Sequence, residues 1–268
     1  MPNSYTTQKG IRWIEEGTGA NKQVVVLIHG LGGDALFWGA EQKALARRFR
    51  VLAVDLRGSG LSAVTTEKFS IQDLADDVAS VLDEAKISTA NIVGFSMGGL
   101  VAQALALAAP SRVKSLVLAA AFATTNPQAG LFLKAVASVY RDGVSTKQLF
   151  DLVLPWLFSP QFLADPRSLP YTTYPEEEVA EQSREDWLRL LDAQLTFDAR
   201  AQLCKIEAPT LVVCGDEDRL APLAGAQELA KGIEGSILKV VAGGHLMNIE
   251  SPDEFMAHIE DFLSSVSC

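Results

Sequence analysis

A serine between two glycines is the first feature of this sequence that could do chemistry. Ser96 lies in the segment Gly94–Gly98, directly after an apolar run and before a stretch with helical periodicity. A serine held in a tight turn from strand to helix needs small residues two positions away on each side, because Cβ atoms there would collide with adjacent backbone. Such a turn would present the hydroxyl near the positive end of the following helix, where it could attack a carbonyl. A glycine-rich turn with an incidental serine is the alternative.

A histidine and two aspartates could complete the machinery that activates a serine hydroxyl. His245 follows two glycines directly after the last predicted strand, where its ring could face the top of a sheet. Asp216 and Asp218 follow another predicted strand, Thr210–Cys214. In the chain order serine, acid, histidine, the acid must lie between Ser96 and His245. Both aspartates are therefore candidates to orient the imidazole.

A glycine-rich loop, His29–Gly33, follows the predicted strand Val24–Ile28. Glycine allows such a loop to bring a backbone N–H close to a bound oxyanion. The loop does not match a dinucleotide-binding loop, because Ala35 stands where a third glycine is needed, and it lacks the Gly-Lys-Ser/Thr sequence of a P-loop. It is interpreted either as an oxyanion-binding turn or as a generic turn between strand and helix.

The elements that must position these residues alternate along the chain. The apolar runs predicted as strands are Val24–Ile28, Val51–Val54, Asn91–Phe95, Val113–Ala119, Thr210–Cys214 and Ser236–Val241, and the predicted helices are Leu36–Arg48, Ser70–Lys86, Met97–Ala109, Leu223–Lys231 and Pro252–Ser264. Continuous apolar strands between helices are typical of a parallel sheet that helices cover on both faces. We therefore predict an α/β fold with a mostly parallel, doubly wound sheet and an antiparallel hairpin, Ser4–Glu16, at its edge. Ser70 and Ser251 are predicted to cap the helices that follow them.

One stretch, residues 122–200, breaks this alternation. It has no convincing strand, and its helical segments are interrupted by prolines. Its clearest predicted helix is Glu176–Leu195, in which four apolar side chains share one face: Trp187, Leu188, Leu191 and Leu195. We predict a helical cap, or lid, inserted between two strands above Ser96. Residues 1–121 and 201–268 would then form the core.

Five motifs in a fixed order resemble those of the α/β-hydrolase family, in its small soluble esterase, enol-lactonase and C–C hydrolase branch. In this sequence they are HGLGG with Trp38 a few residues later, Asp55–Ser62, GFSMGG, GDEDRLAP and GGHLMNIESPDEF. The resemblance covers nearly the whole chain outside residues 122–200. It implies the α/β-hydrolase fold, with the helical cap inserted between strands. The segment Asp55–Ser62 is interpreted as a structural turn without a catalytic role.

The resemblance implies a role for each residue of the site. Ser96 would be the nucleophile, Asp218 the acid and His245 the base, and the backbone N–H groups of Leu31 and Met97 would form the oxyanion hole. The neighbouring aspartate, Asp216, comes directly after a glycine and is expected to cap the turn through its own backbone. Two aromatic side chains near the motifs, Trp38 and Phe122, are predicted to line the substrate pocket. No metal or organic cofactor is expected.

The expected activity is hydrolysis of a small carboxylic ester or lactone through an acyl-enzyme intermediate. An alternative is an enol-lactonase or a C–C bond hydrolase that acts on an aromatic ring-cleavage product. Such substrates carry carboxylates, so this alternative needs a cation such as Arg141, Arg167 or Arg184 facing the serine. A ligand receptor of the same fold, with slow turnover, is an alternative of another class. Steady multiple turnover would distinguish an enzyme from a receptor.

Composition and charge restrict the partners and the compartment that we expect. The chain of 268 residues has 23 Lys and Arg against 33 Asp and Glu, a net charge of −10. That charge repels phosphate backbones and anionic lipid, so neither nucleic acid nor a membrane surface is expected as a partner. The 3 cysteines show no metal-binding spacing. The sequence starts without a signal-peptide pattern, and its longest apolar run is too short to cross a bilayer, so we expect a cytoplasmic protein.

Overall fold

An eight-stranded sheet forms the centre of the molecule. The computed structural model describes residues 3–17, 19, 22–174 and 182–266. Within these residues the strands are β1 (Asn3–Thr6), β2 (Arg12–Glu16), β3 (Val24–Ile28), β4 (Arg50–Val54), β5 (Ala90–Phe95), β6 (Val113–Ala119), β7 (Thr210–Gly215) and β8 (Ile237–Val241). Their order across the sheet is β1-β2-β4-β3-β5-β6-β7-β8.

The strand directions confirm the predicted α/β fold. The six strands from β3 to β8 pair in parallel, whereas β1 and β2 form an antiparallel hairpin, and β2 pairs antiparallel with β4. β3, β5 and β6 are almost entirely buried apolar residues, as strands covered on both faces must be. All six predicted strands are present, with ends that differ by at most one residue.

The strand register brings the chemically promising loops to one edge of the sheet. Ile28 of β3 pairs with Gly94 of β5, Phe95 pairs with Ala119 of β6, and Ala119 pairs with Val213 of β7. Because parallel strands run in the same direction, the loops that leave β3, β5 and β7 all begin at their carboxyl ends. The glycine-rich loop, the serine turn and the aspartate loop are therefore neighbours.

Helices lie on both faces of the sheet. Three α-helices precede β6: α1 (Gly39–Leu45), α2 (Ile71–Glu84) and α3 (Met97–Ala108). Between β6 and β7 the described helices are α4 (Pro127–Arg141), α5 (Thr146–Leu157), α6 (Pro160–Ala164), α7 (Leu169–Thr172) and α8 (Arg184–Thr196). After β7 come α9 (Leu223–Gly232), α10 (Met247–Glu250) and α11 (Pro252–Ser265). α2, α3 and α9 bury apolar residues in the core on one face. α1 and α11 do so on the opposite face.

Two helix starts differ from the sequence prediction. The predicted helix Leu36–Arg48 begins as a 3-10 turn, Ala35–Trp38, which Asp34 caps by accepting a hydrogen bond from the Leu36 N–H. The prediction that the Ser251 side chain caps α11 was wrong, because its hydroxyl oxygen accepts no hydrogen bond from the first N–H groups of that helix; the hydroxyl donates to the carbonyl of Ala242, at 2.8 Å. The Ser70 cap is confirmed as a reciprocal capping box with Asp73.

The five helices α4–α8, which we call the cap helices, connect β6 to β7. Among the described residues, the only strand-like pairing in this connection is a single bridge between Thr124 and Asp198. The apolar faces of α4, α5 and α8 pack together, with Trp187 and Leu191 buried between them. The predicted helix Glu176–Leu195 is observed from Arg184; Gln182 and Ser183 are not helical, and residues 176–181 lie outside the described residues.

Prolines mark the beginnings of the cap helices. Pro127, Pro160 and Pro170 lie in the first turns of α4, α6 and α7, where proline removes no hydrogen bond, and only Pro155 lies inside a described cap helix, α5. Pro175 lies outside the described residues. In the described part of the chain, no helix is both long and apolar enough to cross a membrane.

Candidate active site

The turn that carries Ser96 requires glycine on both sides. Ser96 has a φ of +52° and a ψ of −118°, a conformation that non-glycine residues rarely adopt. A Cβ atom at Gly94 would overlap the carbonyl oxygen of Gly98, and one at Gly98 would overlap the carbonyl oxygen of Ile28. The Ser96 N–H donates to the carbonyl of Ala119, at 2.8 Å. The backbone thus holds the serine at the start of α3, at the carboxyl edge of the sheet.

Ser96, His245 and Asp218 form a chain of contacts. The Nε2 atom of His245 lies 3.0 Å from the Ser96 Oγ atom, and its Nδ1 atom lies 2.8 Å from Oδ2 of Asp218. All three residues are buried, with exposed fractions of 8% for Ser96, 4% for His245 and 5% for Asp218. With its proton on Nδ1, the imidazole donates to Asp218 and can accept the serine hydroxyl proton on Nε2. This arrangement can activate a hydroxyl for attack.

The aspartate loop gives its two aspartates different partners. Oδ1 of Asp218 accepts hydrogen bonds from the N–H groups of Leu220 and Ala221, both at 2.8 Å, which leaves Oδ2 for His245. Asp216 instead accepts from the N–H of Gly243, at 2.9 Å. The expectation that Asp216 caps its own turn was therefore wrong, because its carboxylate reaches across to the histidine loop.

Two backbone N–H groups close to Ser96 are free. Neither the N–H of Leu31 nor that of Met97 donates a hydrogen bond to any residue that the structure describes. The glycine-rich loop can lie this close to Ser96 because Gly30 has no side chain: a Cβ atom there would stand 3.1 Å from the Cβ of Ser96. Met97 is fully buried and Leu31 is partly buried, and an N–H that loses contact with water needs a ligand or another acceptor. These donors are available to an oxyanion, and their role in catalysis remains a proposal.

His29 shapes the glycine-rich loop, a role that the sequence analysis did not assign. Its Nδ1 atom lies 2.7 Å from the carbonyl oxygen of Gly30, and its Nε2 atom accepts from the N–H of Leu56 at 3.1 Å. These two contacts require a neutral ring with its proton on Nδ1. Complete burial lowers the pKa of His29, which favours the same neutral form. The signal available in the sequence was a histidine directly before the glycines.

The segment Asp55–Ser62 is a structural turn, as expected. Asp55 is fully buried and accepts from the N–H groups of Ala35 and Leu61, at 2.7 and 3.0 Å. Its carboxylate also pairs with Arg12 at 2.8 Å. The turn therefore connects the hairpin, the glycine-rich loop and β4 beneath the site.

The two predicted pocket residues lie in the core. Trp38 has no exposed surface and packs edge-on against Phe37 and Phe95. Phe122 is 4% exposed, and its carbonyl accepts from the side chain of Gln103. Phe122 is as buried as His245 and Trp38 is more buried, so exposure does not mark either side chain as a pocket wall, and substrate contact by Trp38 and Phe122 stays a prediction.

The cap helices contact two of the loops that surround Ser96. Leu31 of the glycine-rich loop packs against their apolar cluster. The indole nitrogen of Trp187 on α8 would lie 3.4 Å from a Cβ atom at Gly32. On the histidine loop, the Leu246 N–H donates to the carbonyl of Leu157 of α5, at 2.9 Å.

The cations that an anionic substrate would need have other partners. Arg141 lies 3.7 Å from Asp192, and Arg167 pairs with Asp165 at 2.9 Å, both with more than half of their side-chain surface exposed. Arg184 donates to the carbonyl of Val144 and stacks over the ring of Tyr140. In the described part of the chain, no three His, Cys, Asp or Glu residues are grouped as a metal site would require.

Comparisons with known proteins find similar chains over almost the whole length of this one. A family described as "alpha/beta hydrolase fold" matches residues 23–252. The chain is 30% identical to a pyrrolizixenacetamide deacetylase from Xenorhabdus hominickii, over 90% of this chain and 91% of that one. It is 31% identical to a putative carbamate hydrolase RutD from Pseudomonas syringae, over 92% and 95% of the two chains. An enol-lactonase structure from Burkholderia xenovorans superposes with a TM-score of 0.88 at 29% identity, covering 98% of this chain and 100% of that one.

Proposed function

Because the chain belongs to the α/β-hydrolase family, we propose that it is a serine hydrolase that cleaves a small carboxylic ester or lactone. The observation that carries the proposal is the pair of contacts made by His245, with Ser96 at 3.0 Å and with Asp218 at 2.8 Å. A nucleophile within hydrogen-bond reach of a base that a third group orients is the arrangement that nucleophilic catalysis requires.

In the acylation half of the proposed reaction, Ser96 attacks the substrate carbonyl. His245 takes the hydroxyl proton on Nε2 as the new C–O bond forms, and Asp218 stabilises the resulting imidazolium. The free N–H groups of Leu31 and Met97 hold the oxyanion of the tetrahedral intermediate. When that intermediate collapses, the bond to the leaving alcohol breaks and His245 returns the proton to the leaving oxygen.

In the deacylation half, water releases the acyl group. His245 accepts a proton from the water as it attacks the ester carbon of the acyl-enzyme, and the same two N–H groups bind the second oxyanion. The proton then passes to Ser96 as the acid product leaves. Every proton transfer in this cycle uses His245, so no metal or organic cofactor takes part.

A neutral acyl group suits the site better than a carboxylate-bearing one. Arg141 and Arg167 pair with Asp192 and Asp165, and Arg184 donates to the carbonyl of Val144, so each of these cations already has a partner within the cap helices and their connections. Leu31 and Phe95 beside the serine are apolar, and Phe95 packs edge-on against the His245 ring. We therefore favour small uncharged esters and lactones.

An enol-lactonase is the second candidate, because the structure from Burkholderia xenovorans superposes over 98% of this chain and 100% of that one. Enol-lactone hydrolysis would use the same acyl-enzyme chemistry on a cyclic ester. Its ring-cleavage substrate would carry a carboxylate, so a cap arginine would have to leave its present partner.

A hydrolysis screen with Ser96→Ala as the blank tests the proposal. The substrates are p-nitrophenyl acetate and butyrate, an uncharged lactone, an enol-lactone with a free carboxylate, an acetamide and a carbamate. We expect steady multiple turnover of the esters or the lactone by the wild type and none by Ser96→Ala. Turnover by Ser96→Ala at the wild-type rate would overturn the serine mechanism. A single burst without turnover would instead favour a ligand receptor.

A further inference from the structure

The loop that carries His245 is fastened to the cap helices on both sides of the histidine. On one side, the Leu246 N–H donates to the carbonyl of Leu157 at 2.9 Å. On the other, Gly244 lies so close to the chain after α5 that a Cβ atom would stand 2.7 Å from the nitrogen of Ser159. The position of the imidazole therefore depends on where the chain between α5 and α6 lies.

A single carboxylate joins these two segments. Oε1 of Glu250 accepts from the N–H of Gly244 at 2.8 Å and from the N–H of Ser159 at 2.9 Å. Its Oε2 atom accepts from the Ser159 hydroxyl at 2.5 Å. Ser159 is 3% exposed and caps α6, so the carboxylate is bound at a closed junction. Hydrogen bonds to a charged acceptor are stronger than those between neutral groups.

The histidine loop needs such external support. Gly243 has a φ of +136° and is followed by Gly244, so this backbone has little conformational restraint of its own. The Asp216 carboxylate accepts from the Gly243 N–H, and the Glu250 carboxylate accepts from the Gly244 N–H. Loss of either carboxylate would release one of the two residues that precede His245.

We propose that Glu250 is a positioning residue that aligns His245 with Ser96 by binding the histidine loop to the junction between α5 and α6. The inference rests on the proposed function, in which His245 is the base. Glu250 itself touches none of the three side chains Ser96, His245 and Asp218, and it acts through the Gly244 backbone. A shift of about 1 Å in a catalytic group can reduce a rate by about 100-fold.

The test compares three variants on p-nitrophenyl butyrate. Glu250→Ala removes every contact of the carboxylate, whereas Glu250→Gln keeps an oxygen that can accept from both N–H groups. Glu254→Ala is the matched control, because Glu254 lies four positions later, in the first turn of α11, is half exposed and, among the described residues, has only His258 as an ionic partner, at 3.9 Å. For each variant kcat, KM, the melting temperature and the low-field proton resonance of the His245 Nδ1–H are measured.

We expect Glu250→Ala to lower kcat by about 10- to 100-fold, with KM changed by less than about threefold and the His245 resonance shifted or broadened. Glu250→Gln should restore most of kcat, and Glu254→Ala should match the wild type. A folded Glu250→Ala with wild-type kcat and resonance would overturn the proposal, even if its melting temperature falls. If Glu250→Ala does not fold, Glu250→Asp is measured in its place. The shorter aspartate side chain cannot reach the N–H groups of both Gly244 and Ser159, so a wild-type kcat in this variant would overturn the proposal.

The Ser96→Ala blank separates this inference from the proposed function. If Ser96→Ala is inactive while Glu250→Ala has full kcat, the serine mechanism stands and only the positioning role of Glu250 fails. If Ser96→Ala retains wild-type activity, the serine mechanism itself fails, and the positioning role of Glu250 fails with it.

Discussion

At the scale of single residues, Asp216 and Asp218 show how two positions along a loop separate two tasks. The carboxylate of Asp218 contacts the imidazole of His245, and that of Asp216 contacts the backbone before it. We expect Asp218→Asn to leave the ring in the wrong tautomer and to lower kcat by about 10⁴-fold, by analogy with the acid of the serine proteases. Asp216→Asn keeps an oxygen for the Gly243 N–H and should lower kcat only a few-fold, at a cost of about 1 kcal/mol in stability.

Steady-state kinetics and urea unfolding of both variants check this assignment. The two proteins have the same change in charge, so each serves as the control for the other. If Asp216→Asn loses activity and Asp218→Asn keeps it, Asp216 is the acid.

The buried ring of His29 predicts a pH dependence of stability. Its pKa in the folded protein is lowered by burial, below the ordinary imidazole value of about 6.5. As the pH falls through about 6.5, the unfolded chain binds a proton that the folded chain does not, so the free energy of unfolding falls. His29→Asn lacks this proton-binding site and should show a flatter dependence between pH 7 and 5.

Urea unfolding of the wild type and His29→Asn at several pH values measures this difference. At pH 7 the variant should also be less stable by about 1–3 kcal/mol, because the Leu56 N–H loses its acceptor. Parallel pH curves for the two proteins would contradict the neutral, buried state of His29.

The sequence identified the types and spacing of the residues that meet at Ser96, but not all of their partners. The glycines around Ser96 and those before His245 indicate sharp turns, which is local information. The hydrogen bonds of Asp216 and Glu250 reach 27 and 91 positions along the chain, to Gly243 and Ser159, and no local pattern predicts such contacts. Burial of Trp38 likewise depends on packing against Phe95, which residue type alone does not reveal.

At the scale of elements, the approach of α3 to β3 explains the glycine at position 98. A Cβ atom there would overlap the carbonyl oxygens of Ile28 and His29, which are backbone atoms and cannot turn away. We expect Gly98→Ala to lower the free energy of unfolding by about 3 kcal/mol or more, because overpacking against backbone forces two elements apart.

Gly39→Ala is the matched control for Gly98→Ala. Gly39 begins α1, and a Cβ atom there would meet nothing within 4 Å. This variant should keep or gain stability, by up to about 1 kcal/mol. Urea unfolding compares the two proteins, and equal stabilities would contradict the close packing of the serine turn.

The elements themselves were largely predictable where patterns are local. Mostly apolar runs marked all six parallel strands; burial on both faces demands them in β3, β5 and β7, whereas the edge strand β8 is largely exposed. The cap helices were harder, because a proline can interrupt a helix or begin one, and the sequence alone does not tell these apart. In the structure Pro127, Pro160 and Pro170 begin helices.

At the scale of the whole molecule, the net charge of −10 should affect which substrates react. We expect kcat/KM for a neutral p-nitrophenyl ester to exceed that for a matched ester with a free carboxylate, because the field of the protein repels the anion and the cap arginines have other partners. A higher salt concentration screens this repulsion, so the difference in kcat/KM between the two esters should become smaller.

Kinetics with the two esters at about 20 and 200 mM salt check this expectation. The neutral ester is the internal control, since screening leaves its encounter rate nearly unchanged. A higher kcat/KM for the anionic ester that falls with salt would contradict the expectation and would favour the enol-lactonase candidate.

The central claim, that Ser96 attacks the substrate, is tested most directly by covalent labelling. Phenylmethylsulfonyl fluoride is added to the wild type, His245→Ala and Ser96→Ala, and the modified peptide is located by mass spectrometry. We expect one adduct on Ser96 in the wild type together with complete loss of hydrolysis, slow labelling of His245→Ala and no labelling of Ser96→Ala. An adduct on another serine, or full hydrolysis by a protein whose Ser96 is labelled, would contradict it.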